Sequence, residues 1–508
     1  MSNNQLKFAS IGEPDANAEF FIAKMERRQP IFIDAYYDDS SSDMDEFRKG
    51  SKFILYGQKG TGKTALLRNI EKSSGAEGYK TNFVVFKKEI LEEAELATIT
   101  VSDGISIVVD EDEIKKTRFF HHAMKRLLLS LLLSNCSEID DEKNEDDAWY
   151  KKAYESIKNS TTGEIASYVA DSIYQTLSSA KINIDKVTGG AAELNAAKAI
   201  KRSNDAYSKF CFSQFKKKKL KCRIFLDEMH FAYRDKNSLA SDASLVRDTI
   251  LAVYSINEKL IENDIDSRIF ISLRSEFLEQ PEIATADIAH TIQSYGKEIS
   301  WEVHAHDIRH PIFDLMASRL AINYGKQFGK SIMFDNFFPN NKYIDFMQFS
   351  WGKPRDIVRF FKSAKELYPN NSKINKDEFS SILRKYSNSS WQDIRSALTA
   401  FVPKDSLISL EKSLTNIASE FYKDRDNFSK QKILTLLEPA YTNMIKHGVD
   451  YDLEELFRLL YITGIFYFRY KDNSGKSKYI YHQYHRGNRR PSEKGDVLIH
   501  SAVAKAFS

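Results

Sequence analysis

The chain has 508 residues, 42% hydrophobic and 29% charged, with a formal net charge of +3. That length is too great for one hydrophobic core, so roughly two to four domains are expected. A balance so near neutral excludes nucleic-acid binding by bulk charge and leaves only local basic patches for it.

Residues 1–50 read as an N-terminal segment. Met1-Ser2-Asn3-Asn4-Gln5 lacks the basic-then-apolar pattern of a leader, and the longest apolar run, Leu127 to Leu133, is far short of a bilayer span. The expected protein is cytoplasmic and makes no membrane contact. Phe53-Ile54-Leu55-Tyr56 then reads as a buried strand, and Ala65 to Ile70 as the first turns of a helix. Between them stand Gly57, Gln58, Lys59, Gly60, Thr61, Gly62, Lys63 and Thr64, the spacing of a Walker A loop. Its glycines let backbone N–H groups point at phosphate oxygens, and the helix N-terminus from Lys63 to Ala65 adds its positive end. Lys63 reaches the β- and γ-phosphates of ATP, and the Thr64 hydroxyl suits Mg²⁺.

Phe83 to Phe86 is the next candidate core strand. Thr117 to Leu133 is a strongly apolar helix, followed by an acidic stretch from Glu138 to Asp147 and a helical region to about Ala206. Together 88–205 is expected to be largely an insertion. The three cysteines, Cys136, Cys211 and Cys222, are scattered and odd in number, which fits a reducing compartment. Lys216 to Lys219 read as a solvated loop entering a strand. The histidines, among them His121, His122, His304 and His306, are not arranged with acidic partners at zinc spacing.

Arg223-Ile224-Phe225-Leu226-Asp227-Glu228 supplies the Walker B partner. Two carboxylates follow a buried strand, at the edge where open α/β sheets bind ligands. Asp227 would hold Mg²⁺ through water, and Glu228 would position or deprotonate the attacking water. His230 reads as a plain loop histidine, with water orientation as the alternative. Ser267 to Ser275 is a further strand with polar residues at its exit.

Here a family resemblance enters. The strand ending at Arg274 resembles the sensor strand of signal-transducing STAND ATPases, which implies that Arg274 reads the γ-phosphate; Ser272 is the rival, as the small polar sensor of AAA+ relatives. Trp351-Gly352-Lys353-Pro354-Arg355 resembles the Gly-x-Pro motif of STAND proteins and the sensor-2 motif of AAA+ initiator-type ATPases. That resemblance places Pro354 near the base and Arg355 facing the phosphates, from a helical lid over 311–405 above a core over 51–310. The opening Gly12-Glu13-Pro14-Asp15-Ala16 and the C-terminal segment are similar to those of stand-alone bacterial P-loop ATPases of mobile and defence gene neighbourhoods.

Lys430 to Ile445 and Asp452 to Leu460 are amphipathic helices. Phe466 to Tyr470 and Tyr479 to Tyr484 alternate around a turn at Asp472-Asn473-Ser474-Gly475, which is a hairpin signal. Helices followed by a hairpin predict a winged-helix domain over 406–508. The wing, 469–490, carries Arg469, Lys471, Lys476, Lys478, Arg486, Arg489 and Arg490 against few acids. It suits a DNA backbone and equally an intramolecular clamp. The expectation is an α/β protein: a P-loop NTPase core with a parallel sheet, a helical insertion, a helical lid and a C-terminal winged helix. It would bind and hydrolyse ATP with Mg²⁺ as a regulatory switch in bacterial antiphage defence, acting with a protein effector or as a self-oligomer. A DNA-handling ATPase of the replication or transposition loader type, or a non-hydrolysing nucleotide-bound scaffold, are the alternatives.

Overall fold

The computed structural model describes residues 5–35, 44–85, 119–136, 191–227, 236–280, 283–301, 309–399, 401–423, 428–449, 451–471, 479–484, 488–492 and 494–507. Phe86, the acidic stretch 138–147, Glu228, His230, His304, His306, the hairpin turn 472–475, Lys476, Lys478 and Arg486 lie outside the described residues.

The N-terminal segment holds α1 (Ala16–Met25), α2 (Ile31–Asp34) and α3 (Met44–Lys49). Asp15 caps α1 by accepting the Ala18 N–H. The core then runs β1 (Ile54–Gly57), α4 (Lys63–Ala76), β2 (Lys80–Val85), α5 (Phe119–Ser134), α6 (Ala191–Lys217) and β3 (Cys222–Asp227). It continues with α7 (Lys236–Glu262), β4 (Arg268–Arg274), α8 (Ala286–Tyr295) and β5 (Gly296–Glu298).

These five strands form one sheet in the order β2-β3-β4-β1-β5, every pair parallel. Parallel strands lie covered on both faces, which is why Ile224-Phe225-Leu226 and Ile269-Phe270-Ile271 are unbroken apolar runs, all fully buried. Strand β4 sits between β1 and β3. It aligns Gly57 with Arg274 and Leu226 with Ile271, so the Walker A exit, Asp227, Ser272 and Arg274 gather at one carboxyl edge.

Of the 88–205 stretch, expected to be largely an insertion, residues 119–136 and 191–205 are described. Helix α5 packs on α6, α7 and β3. Leu127 to Leu133 are buried from end to end, and Ser130 and Tyr207 share a hydroxyl hydrogen bond of 2.8 Å. A helical run apolar on all sides needs neighbours on all sides, and α6, α7 and β3 provide them for 127–133.

The region after the sheet is helical: α9 (Pro311–Tyr324), α10 (Lys330–Phe337), α11 (Tyr343–Phe349), α12 (Pro354–Leu367) and α13 (Lys376–Leu398). Aromatic rings join it, with Phe338 stacked on Phe360 at 5.4 Å and Phe313 edge-on to Phe334 at 4.9 Å.

The C-terminal unit has α14 (Lys404–Lys423), α15 (Lys430–Lys446) and α16 (Leu453–Ile462), then β6 (Phe466–Lys471), β7 (Tyr479–His482), β8 (Asp496–Ile499) and α17 (Ser501–Ala506). Strands β6 and β7 pair antiparallel, Phe468 opposite His482. Strand β8 joins the other edge of β6. It escapes a sequence reading because Val497-Leu498-Ile499 is too short a run to show a period.

Candidate functional site

The loop between β1 and α4 curls because Gly60 and Gly62 take left-handed φ values of 86° and 95°. A side chain at Gly60 would also bring its Cβ within 3.1 Å of the Arg355 Cβ. Lys63 opens α4. Its Nζ donates to the carbonyls of Gly57 at 2.7 Å and Gln58 at 2.8 Å. Burial pushes the Lys63 pKa down to about 7; Glu276 opposes this and Arg274 adds to it.

Thr64 Oγ1 donates to Asp227 Oδ2 at 2.7 Å, and the Ser272 hydroxyl donates to the other carboxylate oxygen. The Asp227 carboxylate, 1% exposed, is therefore held by hydroxyls from two elements. Thr64 and Asp227 converge as hard oxygen donors at the helix N-terminus, a set that fits Mg²⁺. Arg274 ends β4 beside this cluster, its guanidinium 5.6 Å from the Phe277 ring centre. Glu228, the residue after Asp227, lies outside the described residues.

Gln58 and Thr61 are buried loop residues. The Thr61 carbonyl accepts from Trp301 Nε1 at 2.9 Å, which ties the loop to the segment after β5. Lys59 Nζ reaches Asp393 Oδ1 at 2.7 Å. Pro354 is the first residue of α12, where its missing N–H leaves nothing unpaired, and it lines the same cleft.

Arg355 sits over the loop, its N–H 3.4 Å from the Gly60 carbonyl. Its guanidinium, expected to face the phosphates, is turned onto acceptors of the protein. Nε donates to the Pro14 carbonyl at 3.0 Å, Nη1 to Asp393 at 3.0 Å and Nη2 to Asp15 at 3.3 Å. Burial opposes ionisation of Asp393, but Arg355, Lys59 and Arg359 outweigh it and hold the carboxyl well below its usual range.

Sequence reasoning assigned no site role to Glu13, Asp15, Phe32, Arg319 or Asp393. All but Asp393 line the cleft over the loop. Arg319 pairs with buried Glu19 at 3.7 Å and donates to the Ile11 carbonyl at 2.7 Å, which fastens the N-terminal segment to α9. A lone arginine amid Ile312, Phe313, Leu315, Met316 and Leu320 was the available signal. Asp393, on a polar stretch of α13, had none. The cleft holds about 110 Å³, below the ~300–1,000 Å³ of ligand pockets.

The basic segment 469–490 is partly spent within the protein. Arg489 pairs with Glu298 at the end of β5, and Arg469 with Asp496 at 3.1 Å. Arg458 of α16 and the Tyr484 hydroxyl both reach Glu279, just past β4. Trp351 Nε1 donates to the Gly464 carbonyl at 3.0 Å, and its ring stacks on His500 at 4.3 Å. No described helix is long and apolar enough to cross a membrane. No family model matches this chain, and no curated protein or solved structure matches it either.

Proposed function

We propose that this chain is a P-loop ATPase of the STAND/AAA+ type that uses ATP as a conformational switch. The observation that supports it best is the meeting of Thr64, Asp227 and Ser272 beside Lys63, at the N-terminus of α4 and the carboxyl edge of a parallel sheet. On this reading the loop N–H groups from Gly60 to Thr64 cradle the phosphates. Lys63 exchanges the Gly57 and Gln58 carbonyls for phosphate oxygens. Thr64 and Asp227 hold Mg²⁺, which would neutralise phosphate charge, and Ser272 keeps Asp227 oriented. Glu228 orients the attacking water, and Arg274 senses the γ-phosphate across from Gly57.

The small cleft and the lid contacts of Arg355 argue for a closed resting form that opens to admit nucleotide. Helices α14 to α16 followed by strands β6 to β8 suit a winged helix, and the engagement of Arg489 and Arg458 by core carboxylates favours its use as a clamp over DNA binding. The role in bacterial defence beside a protein effector rests on the resemblance of the sequence motifs alone.

The test is Mg-ATP binding and turnover. Lys63→Ala loses the ATP-dependent thermal shift. Glu228→Gln keeps that shift but loses hydrolysis by orders of magnitude, because water positioning acts only in the transition state. An unchanged shift in the first variant overturns the site assignment, and wild-type turnover in the second removes Glu228 as the base.

A further inference from the structure

Helix α13 buries Phe379, Ile382, Tyr386 and Leu398 against its neighbours and directs Asp393 towards the phosphate loop. Three cations from two elements meet this one carboxylate: Lys59 at 2.7 Å, Arg355 at 3.0 Å and Arg359 at 2.9 Å. Arg355 is the telling member. Its backbone touches Gly60 in the loop, yet its charge is shared between Asp393 and Asp15. Its fork matches a carboxylate and a phosphate equally well, so the two compete for the same nitrogens.

We propose that Asp393 is a specificity-determining residue that competes with the terminal phosphate of a nucleoside triphosphate for Arg355. The proposal rests on the ATPase reading and deepens it. A diphosphate is served by the loop N–H groups and Lys63 and does not require Arg355. A triphosphate gains Arg355 only by drawing it off Asp393. The carboxylate thus sets a threshold that falls on ATP and spares ADP. Its position is fixed from the C-terminal side: Arg395, two residues on, pairs with Glu411 of α14 at 2.9 Å, Trp391 donates to the same Glu411 at 3.2 Å, and the Trp391 ring meets Phe507 at 4.8 Å. Movement of the C-terminal unit therefore shifts the competitor.

The experiment uses the full chain with Mg-ADP and a Mg-bound non-hydrolysable ATP analogue, measured by titration calorimetry. Asp393→Asn keeps the shape and removes the charge. It tightens the triphosphate by about tenfold, the effect of one charge-assisted hydrogen bond, with ADP changed less than about twofold. Asp393→Glu restores the competition. In an Arg355→Ala background Asp393→Asn no longer alters the ATP-to-ADP ratio, since the contested group is gone. Equal shifts for both nucleotides, or a weakened triphosphate, overturn the proposal and leave Asp393 as a packing residue. A wild-type protein that binds neither nucleotide overturns the ATPase reading as well. One that binds both, with a ratio insensitive to Asp393→Asn, overturns this proposal alone.

Discussion

Lys63 shows how one side chain can couple a site to pH. Its ordinary pKa is 10.5, and burial brings it to about 7 in the fold. The depressed value means the folded protein resists the charged form. That cost is fully present below pH 7 and is relieved as pH rises from 7 to 10.5. A phosphate reverses the balance, because it requires the ammonium. Binding above pH 7 therefore takes up a proton. The ATP dissociation constant is expected to rise above pH 7, approaching about one log unit per pH unit. Calorimetry at pH 7, 8 and 9 in buffers of different ionisation enthalpy measures both the affinity and the proton. A flat profile without proton uptake would show that Lys63 is already charged in the free protein.

Among the elements, α5 separates a core helix from an appended one. Leu131 is fully buried between α5 and its partners, so Leu131→Ala should cost ~2–5 kcal/mol through lost transfer energy and a cavity. Because α5 packs on α7 and reaches β3, that loss should appear in the same unfolding transition as the sheet that carries Asp227. Urea unfolding followed by tryptophan fluorescence and by ATP binding checks this. Two transitions, with ATP binding lost only in the one that Leu131→Ala leaves alone, would show that α5 unfolds apart from the sheet. The apolar period of α5 was legible in the sequence. Its place was not, since an apolar run declares burial but never names its neighbours.

Across the whole molecule, the C-terminal unit meets the core through Arg489–Glu298, Arg458–Glu279 and Tyr484–Glu279. The two arginine pairs are partly exposed, so each contributes roughly 0–1 kcal/mol. If the unit is a clamp, Arg458→Ala with Arg489→Ala raises basal ATP turnover by about two- to fivefold and leaves duplex DNA affinity unchanged. If the wing is instead a DNA surface, log affinity falls with log salt by about 0.9 per phosphate contact, and the double variant flattens that slope without raising turnover. The two outcomes are opposed, and one pair of assays decides between them.

Local chemistry was readable along the chain. The glycine spacing of 57–64, the strand before it, the helix after it, Asp227 at the end of a buried strand and the alternating β6–β7 hairpin each depend on neighbours a few residues away, where periodicity and turn chemistry act. Tertiary structure alone decided what met what. It set β4 between β1 and β3, so that Ser272 bonds to Asp227. It brought Asp15 and Asp393, separated by most of the chain, onto the two sides of Arg355. It turned Arg489 of the basic segment 469–490 onto Glu298 and Arg458 of α16 onto Glu279. A sequence states which groups carry charge, but the partner of a charge is chosen by packing between distant segments, and no local pattern encodes that choice.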